Sequence, residues 1–263
     1  MQDKIEKFIT QDGSIGLYNK EFDEVYHSKF GAKTEAYEKF VEPALIFKDK
    51  PLKILDICYG IGYNTKCALE NFKNIELIDC VEIDSELVFE SSNFEYSEKI
   101  NEIIKQNLKK EDFIHFYIDD IRNTIKILNK KYDIIFHDGF APHKQSQLWS
   151  EELILEISKL MHKDSLYLTY NHSKPVLNAL FKANLILGKT IKNNKTIGTI
   201  CSFNKDLIKN TYNEFELGQL KTKSAITYKD KNLNLSHNEI TANRQREILF
   251  SNLISLSSYL KNK

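Results

Sequence analysis

A glycine turn and a few acidic residues carry most of the chemistry legible in this chain. Asp56-Ile57-Cys58-Tyr59-Gly60-Ile61-Gly62 stands where an apolar run meets a helix-like segment. Gly60 and Gly62 let the backbone bend sharply and let a ligand approach without an intervening Cβ. The helix that follows aims its free amides over the turn. Such a turn alone is common and weakly diagnostic. Glu82 ends the next apolar run, within reach of a ribose held over the turn, and a carboxylate there accepts from both ribose hydroxyls. Asp119-Asp120 ends the third run, where an adenine amino group needs an acceptor. Singly, each acid is also explained as a solvated strand end or a helix cap, the favoured reading for Asp120. In this order, Asp56, Tyr59, Gly60, Gly62, Asn64, Glu82 and Asp119 describe a nucleoside site.

The nucleoside has two candidates. A nicotinamide dinucleotide wants a third glycine near Thr65 for close packing at a pyrophosphate-binding turn, and none is there. Asp56 before the turn suits an amino-acid ammonium group better than a pyrophosphate, so S-adenosyl-L-methionine fits better. Asp138 adds a reactive group. It lies in His137-Asp138-Gly139-Phe140-Ala141-Pro142, after the fourth apolar run. Ligands of open α/β sheets bind beyond the carboxyl ends of the strands where strand order reverses. With the first and fourth strands as neighbours, Asp138 joins the cofactor set at the transferable methyl, where it can orient an amine and accept its proton. Phe140 offers a flat apolar wall. The bland alternative for Asp138 is a turn cap.

The elements that must position these groups follow from periodicity. Apolar runs at 52–57, 75–82, 114–118, 132–137 and 165–170 read as strands, with helical spacing at 64–71 and 121–129 between them. Ser150 caps a helix with Glu151 and Glu152 in its first turn and Trp149 stapled to Ile154. Runs at 185–192 and 197–203 around Asn193-Asn194 predict an antiparallel hairpin. The whole is an α/β, Rossmann-like, mostly parallel seven-stranded sheet with a C-terminal antiparallel hairpin, the usual ending of methyltransferases of this class. Three parts are expected: an N-terminal extension (1–50) packing over the active site, a Rossmann-like domain (51–205) and a C-terminal extension (206–263). The last carries a helix that begins with a capping box at Ser236-His237-Asn238-Glu239 and runs toward Leu260.

Composition excludes several classes. The 263 residues are 41% hydrophobic and 28% charged, ordinary for a globular chain. No stretch approaches a membrane span and the start lacks a secretory signal, so a cytoplasmic protein off the membrane is expected. The cysteines, Cys58, Cys67, Cys80 and Cys201, have no metal or disulfide spacing; no metal is expected. With 37 basic and 37 acidic residues, a nucleic-acid surface must be local. Lys192, Lys195, Lys221, Lys223, Lys229 and Lys231 could form such a strip, or be ordinary solvated lysines. His115, His162 and His237 read as structural or exposed, and Tyr26 and Tyr59 as possible core residues.

The run Asp138-Gly139-Phe140-Ala141-Pro142, followed by Leu148-Trp149-Ser150, resembles the signature of the methyltransferase half of the bacterial MnmC proteins. Phe22 to Ser28 and Gly31-Ala32-Lys33-Thr34-Glu35 are similar to that family's segment upstream of the cofactor loop. Cys58 to Asn64 resembles the loop itself, and Tyr228-Lys229-Asp230 the tail of stand-alone members. The resemblance covers roughly residues 15 to 250. It implies N-methylation of the 5-aminomethyl group of wobble (2-thio)uridine in tRNA, with Asp138 and Phe140 catalytic. It further implies Tyr26, His27, Glu35, Lys192 and Lys195 toward substrate, a tRNA anticodon stem-loop as partner, and a monomer. Cys58 departs from the family's usual first glycine. Asn171-His172-Ser173-Lys174-Pro175 departs from its small-residue, arginine-containing version. The chain has no room for the flavin-dependent oxidase half, so no flavin is expected. Spermidine-synthase-like aminopropyl transfer and a non-catalytic nucleoside- or RNA-binding module are the alternatives.

Overall fold

Short apolar runs alternating with amphipathic segments build an α/β structure, described by a computed structural model over residues 4–94 and 96–261. The strands are β1 (Ile5–Ile9), β2 (Ile15–Asn19), β3 (Glu24–Val25), β4 (Pro51–Ile57), β5 (Asn74–Glu82), β6 (Ile114–Ile118), β7 (Tyr132–His137), β8 (Met161–Thr169), β9 (Ile186–Lys192) and β10 (Lys195–Ser202). The α-helices are α1 (Ala32–Glu35), α2 (Tyr63–Asn71), α3 (Ser85–Glu90), α4 (Glu98–Lys109), α5 (Ile121–Thr124) and α6 (Glu151–Lys159). They continue with α7 (Lys174–Lys182), α8 (Glu214–Gly218), α9 (His237–Phe250) and α10 (Leu256–Lys261). One sheet has seven strands in the order β6-β5-β4-β7-β8-β10-β9. In it β4 runs parallel to β5 and β7, and β5 parallel to β6, while β9 and β10 are antiparallel.

The chain divides into two compact units. The first extends to Phe140 and takes in Tyr167–Thr169. Its parallel strands are covered on both faces, which is why β4 and β5 read as nearly continuous apolar runs rather than alternating ones. Leu52, Ile54, Leu55, Ile78, Ile134 and Ile135 are fully buried there. Chain order runs from β4 to β5 to β6 in one direction, then returns to β7 on the other side of β4. That reversal opens a crevice at the carboxyl ends of β4 and β7. The same unit holds an antiparallel sheet, β1-β2-β3, in a stretch where the sequence pattern marked no strands.

The second unit holds residues 141–166 and 170–263. Ser150 caps α6 by accepting from the Leu153 amide. The tail completes that cap: the Glu151 amide donates to the Tyr228 carbonyl (2.8 Å) and the Asp230 amide to Glu152 Oε2 (2.7 Å). Arg244 lies over the Tyr228 ring and donates to the Ile226 and Ser224 carbonyls. The tail residues singled out by resemblance therefore hold the start of α6. Between β9 and β10 the chain turns on two residues, Asn193 (φ 48°) and Asn194 (φ 60°), the left-handed pair that suits the twist of a tight hairpin.

Two helices differ from the sequence expectation. The helix expected over 121–129 ends at Thr124. Beyond it the chain tightens into turns, the Lys126 amide donating to the Asn123 carbonyl and the Ile127 amide to that of Thr124, before Lys130 pairs with Asp79, buried in β5 (3.0 Å). The single helix expected from Ser236 toward Leu260 is two. After α9 the chain is extended at Ser251, and the Ser255 hydroxyl accepts from the Ser258 amide to start α10. Serine side chains compete with the backbone ladder at both points.

Candidate active site

The glycine turn is held by its own amides. Cys58 and Tyr59 donate to the Val81 carbonyl, Gly62 to the Tyr59 carbonyl, and Gly60 to Glu82 Oε2 (2.9 Å). A pyrophosphate would need those donors and would meet the Glu82 carboxylate, so this is no phosphate cradle. Gly62 has φ 80°, and a Cβ there would lie 2.4 Å from the Tyr59 hydroxyl. Both the conformation and the close approach require glycine. Gly60 (φ 57°) differs: a Cβ there would meet only Tyr26 Cδ1, at 3.7 Å, so the backbone faces space a ligand can enter. Cys58 also has a left-handed φ of 65°, which explains why glycine is usual at that position in the family it resembles.

Glu82, at the end of β5, accepts on Oε1 from the amides of Ile83 (2.9 Å) and Asp84 (3.0 Å). Burial still raises its proton affinity above the ordinary carboxylate value. Asp119 is exposed at the end of β6, while Asp120 caps α5 and pairs with Arg122. Asp56 is fully enclosed. Its Oδ2 accepts from the Thr65 hydroxyl (2.6 Å) and its buried Oδ1 has no partner. Burial pushes it up to about 7. Tyr59 is buried, with its hydroxyl on Ser91 (3.0 Å) and its ring edge-on to Phe116; its side chain secures the turn from inside.

Asp138 lies across the crevice. Its amide donates to the Ile57 carbonyl (3.1 Å), and its Oδ2 accepts from Asn64 Nδ2 (2.9 Å) at the start of α2. The glycine turn and the acid after β7 are thus joined by one hydrogen bond. Burial, then the nearby Glu35 charge, raises Asp138 to about 8. Phe140, two residues on, packs against Tyr26 (centroids 4.7 Å) and Phe22 (5.3 Å), so the upstream segment forms an aromatic wall with the loop after β7. His27 lies edge-on to Tyr63 at 5.0 Å, and burial lowers it to about 4, leaving it neutral. Glu35 accepts from the Ser28 amide (2.7 Å) and pairs with Lys39.

Tyr26, His27, Glu35, Asp56, Asn64, Glu82, Asp119, Asp138 and Phe140 all belong to the first unit. Lys192 and Lys195 belong to the second, as a register pair on either side of the hairpin turn. Of the other lysines, Lys229 is tied to Glu247 (2.8 Å). The sequence reading passed over Ile83 and Ile118, 66% and 40% exposed. Ile83 follows Glu82, and Ile118 is its register partner on β6. An apolar residue next to a strand-end acid is a legible signal for a flat base. The contact of Phe22 with Phe140 was decided only by folding, since the two are remote in sequence, whereas Lys39 stands four residues after Glu35, a helix spacing legible in the chain.

Comparison with known proteins bears on the family and the fold. A profile of an S-adenosyl-L-methionine-dependent methyltransferase family matches residues 86–201. The chain is 31% identical to uncharacterized protein MJ0670 of Methanocaldococcus jannaschii, over 97% of this chain and 76% of that one. It is 30% identical to the tRNA 5-methylaminomethyl-2-thiouridine biosynthesis bifunctional protein MnmC of Campylobacter jejuni, over 36% of this chain and 18% of that protein. The chain therefore matches a minor part of that bifunctional protein's length. Among solved structures, MnmC2 from Aquifex aeolicus superposes with a TM-score of 0.79 at 25% identity, covering 93% of this chain and 85% of that one. Spermidine synthase from Thermotoga maritima shares the fold alone, with a TM-score of 0.55 at 14% identity, over 91% of this chain and 79% of that one.

Proposed function

As this chain belongs to the MnmC-like S-adenosyl-L-methionine-dependent methyltransferases, we propose that it methylates the 5-aminomethyl group of the wobble (2-thio)uridine of tRNA. The observation that carries the proposal is the hydrogen bond from Asn64 to Asp138. It joins a nucleoside-shaped turn to an acid flanked by an aromatic wall. S-adenosyl-L-methionine fits the residues present. Glu82 would hold the ribose hydroxyls, Ile83 and Ile118 the adenine faces, and Asp119 the adenine amino group. Gly60 would lie beneath, and the unpaired Oδ1 of Asp56 needs a polar partner. When bound, the cofactor supplies an electrophilic methyl group.

The chain's own residues supply alignment and a proton acceptor. An unpaired anticodon base can be splayed out and stacked on an aromatic surface, a task that suits Phe140, Tyr26 and Phe22. An alkylamine near the lysine value of about 10.4 arrives protonated and cannot act as a nucleophile. Moving its proton to a carboxylate of ordinary value costs about 9 kcal/mol, and about 3 kcal/mol to Asp138 as raised here. Burial thus makes Asp138 a usable base. Held between turn and wall, the amine is also oriented for transfer.

Asp138→Ala is expected to lower methyl transfer at least ~100-fold, while cofactor affinity measured by calorimetry changes little. Methyl-labelled S-adenosyl-L-methionine with hypomodified tRNA, set against aminopropyl-labelled decarboxylated S-adenosylmethionine with putrescine, tests the substrate class: label in tRNA, as 5-methylaminomethyl uridine by nucleoside mass analysis, is the expected result. Transfer to putrescine alone, or near wild-type turnover in the Ala variant, would overturn it.

A further inference from the structure

Glu35 stands in the chain between two contacts that grip the exit of β7 on either side of Asp138. Upstream, Tyr26 packs on Phe140; downstream, Phe40 meets Phe136 edge-on with centroids 5.8 Å apart. Phe136 and Phe140 are each two residues from Asp138. The segment carrying Glu35 is therefore anchored at both ends to the residues flanking that carboxylate. The Glu35 carboxylate is itself fixed: the Ser28 amide holds Oε2 and Lys39 holds Oε1, with side chains only 13% and 22% exposed for Glu35 and Lys39. A charge so placed, away from water, acts strongly on its neighbours.

We propose that Glu35 is a positioning residue for the proton step at Asp138: its carboxylate, fixed by Ser28 and Lys39 in a segment anchored at Phe136 and Phe140, governs the transfer of a proton from an ammonium substrate, and Lys39 tempers its charge. The inference rests on the reading of Asp138 as the group that meets the amine. In the step, one N–H bond of the ammonium breaks and its electron pair stays on nitrogen. The proton passes to a carboxylate oxygen of Asp138 and later leaves to solvent. The groups acting on Asp138 are consistent with this assignment. Glu35 is the strongest charge and raises it, Asp56 of β4 raises it less, and Lys39 and the Asn64 amide lower it. Cys58, on the turn after β4, has its thiol pushed far up by burial and stays neutral, and so does His27 above about pH 4.

The test is a carboxylate NMR titration of Asp138 in the full-length chain without cofactor, assigned with Asp138→Asn. Glu35→Gln keeps the acceptor for Ser28 and removes the charge. It is expected to lower the Asp138 midpoint by about one pH unit. Lys39→Met is expected to raise it. Activity requires ionised Asp138 and so rises with pH through that midpoint, and the acid limb of kcat/KM should move with each variant in the same direction. A midpoint unmoved in Glu35→Gln, or moved the same way by both variants, would overturn the inference; should Glu35→Gln not fold, a Lys39→Met midpoint that fails to rise does so alone. Midpoints that move as stated without any methyl transfer to tRNA would support the role of Glu35 while sinking the amine reading.

Discussion

At the scale of single residues, burial decides how this chain answers to pH. Asp56 has no exposure, and its folded-state proton affinity is lifted to about 7. Its protonated form is the one the interior favours. The stability it contributes is therefore complete below the ordinary carboxylate value near 3.8 and is lost as pH rises through about 7. Urea unfolding at pH 5 and pH 8 should show the wild-type chain losing on the order of 2 kcal/mol more than Asp56→Asn over that interval. An equal slope in the two proteins would mean that Asp56 is solvated after all. The sequence marks Asp56 as part of a proposed binding set. Its enclosure is not legible there, because Thr65, which takes up one carboxylate oxygen, is brought to it by the first turn of α2. Tyr59 gives the same lesson: it stood beside the glycines in sequence, and packing turned its ring inward beneath Gly62.

At the scale of elements, local chemistry was a good guide where a turn's conformation is demanded by its residues. Asn193-Asn194 marked the hairpin because both positions need positive φ, which asparagine tolerates. Asn194→Val should cost roughly 1–2 kcal/mol in thermal or urea unfolding, and Asn194→Gly should stay within about 1 kcal/mol of wild type. Equal costs would show that the strands, not the turn, set the register. Strands β4, β5 and β7 were legible for a related reason: burial on both faces makes their runs mostly apolar, with Asp56, Asp79 and His137 as buried polar exceptions. The helices were read less well. The spacing over 121–129 promised a longer helix than α5, which gives way after Thr124 to tighter three-residue turns. The N-terminal sheet was missed because the apolar residues of β1, Ile5, Phe8 and Ile9, do not alternate with polar ones, and β3 is only two residues long.

At the scale of the whole molecule, 37 basic residues balance 37 acidic ones, so association with a polyanion must depend on local charge. Lys192 and Lys195, paired across the hairpin, are the proposed phosphate contacts. Replacing both with alanine should weaken tRNA binding by a similar factor for all tRNAs. It should also reduce the slope of log affinity against log salt by up to about 2, with cofactor affinity unchanged. An unchanged slope would assign these lysines to solvent.

The order of strands and turns, the glycine bend, and the acids that end β5, β6 and β7 were determined by the chain's own pattern. Each depends on residue type and neighbours in sequence, through φ, burial period and charge. Folding alone decided which of those acids have their proton affinity raised. Proton affinity depends on water excluded and on charges brought near from remote segments. Only the packing of Tyr26 and Phe40 around the end of β7 carries Glu35 and Lys39 to Asp138.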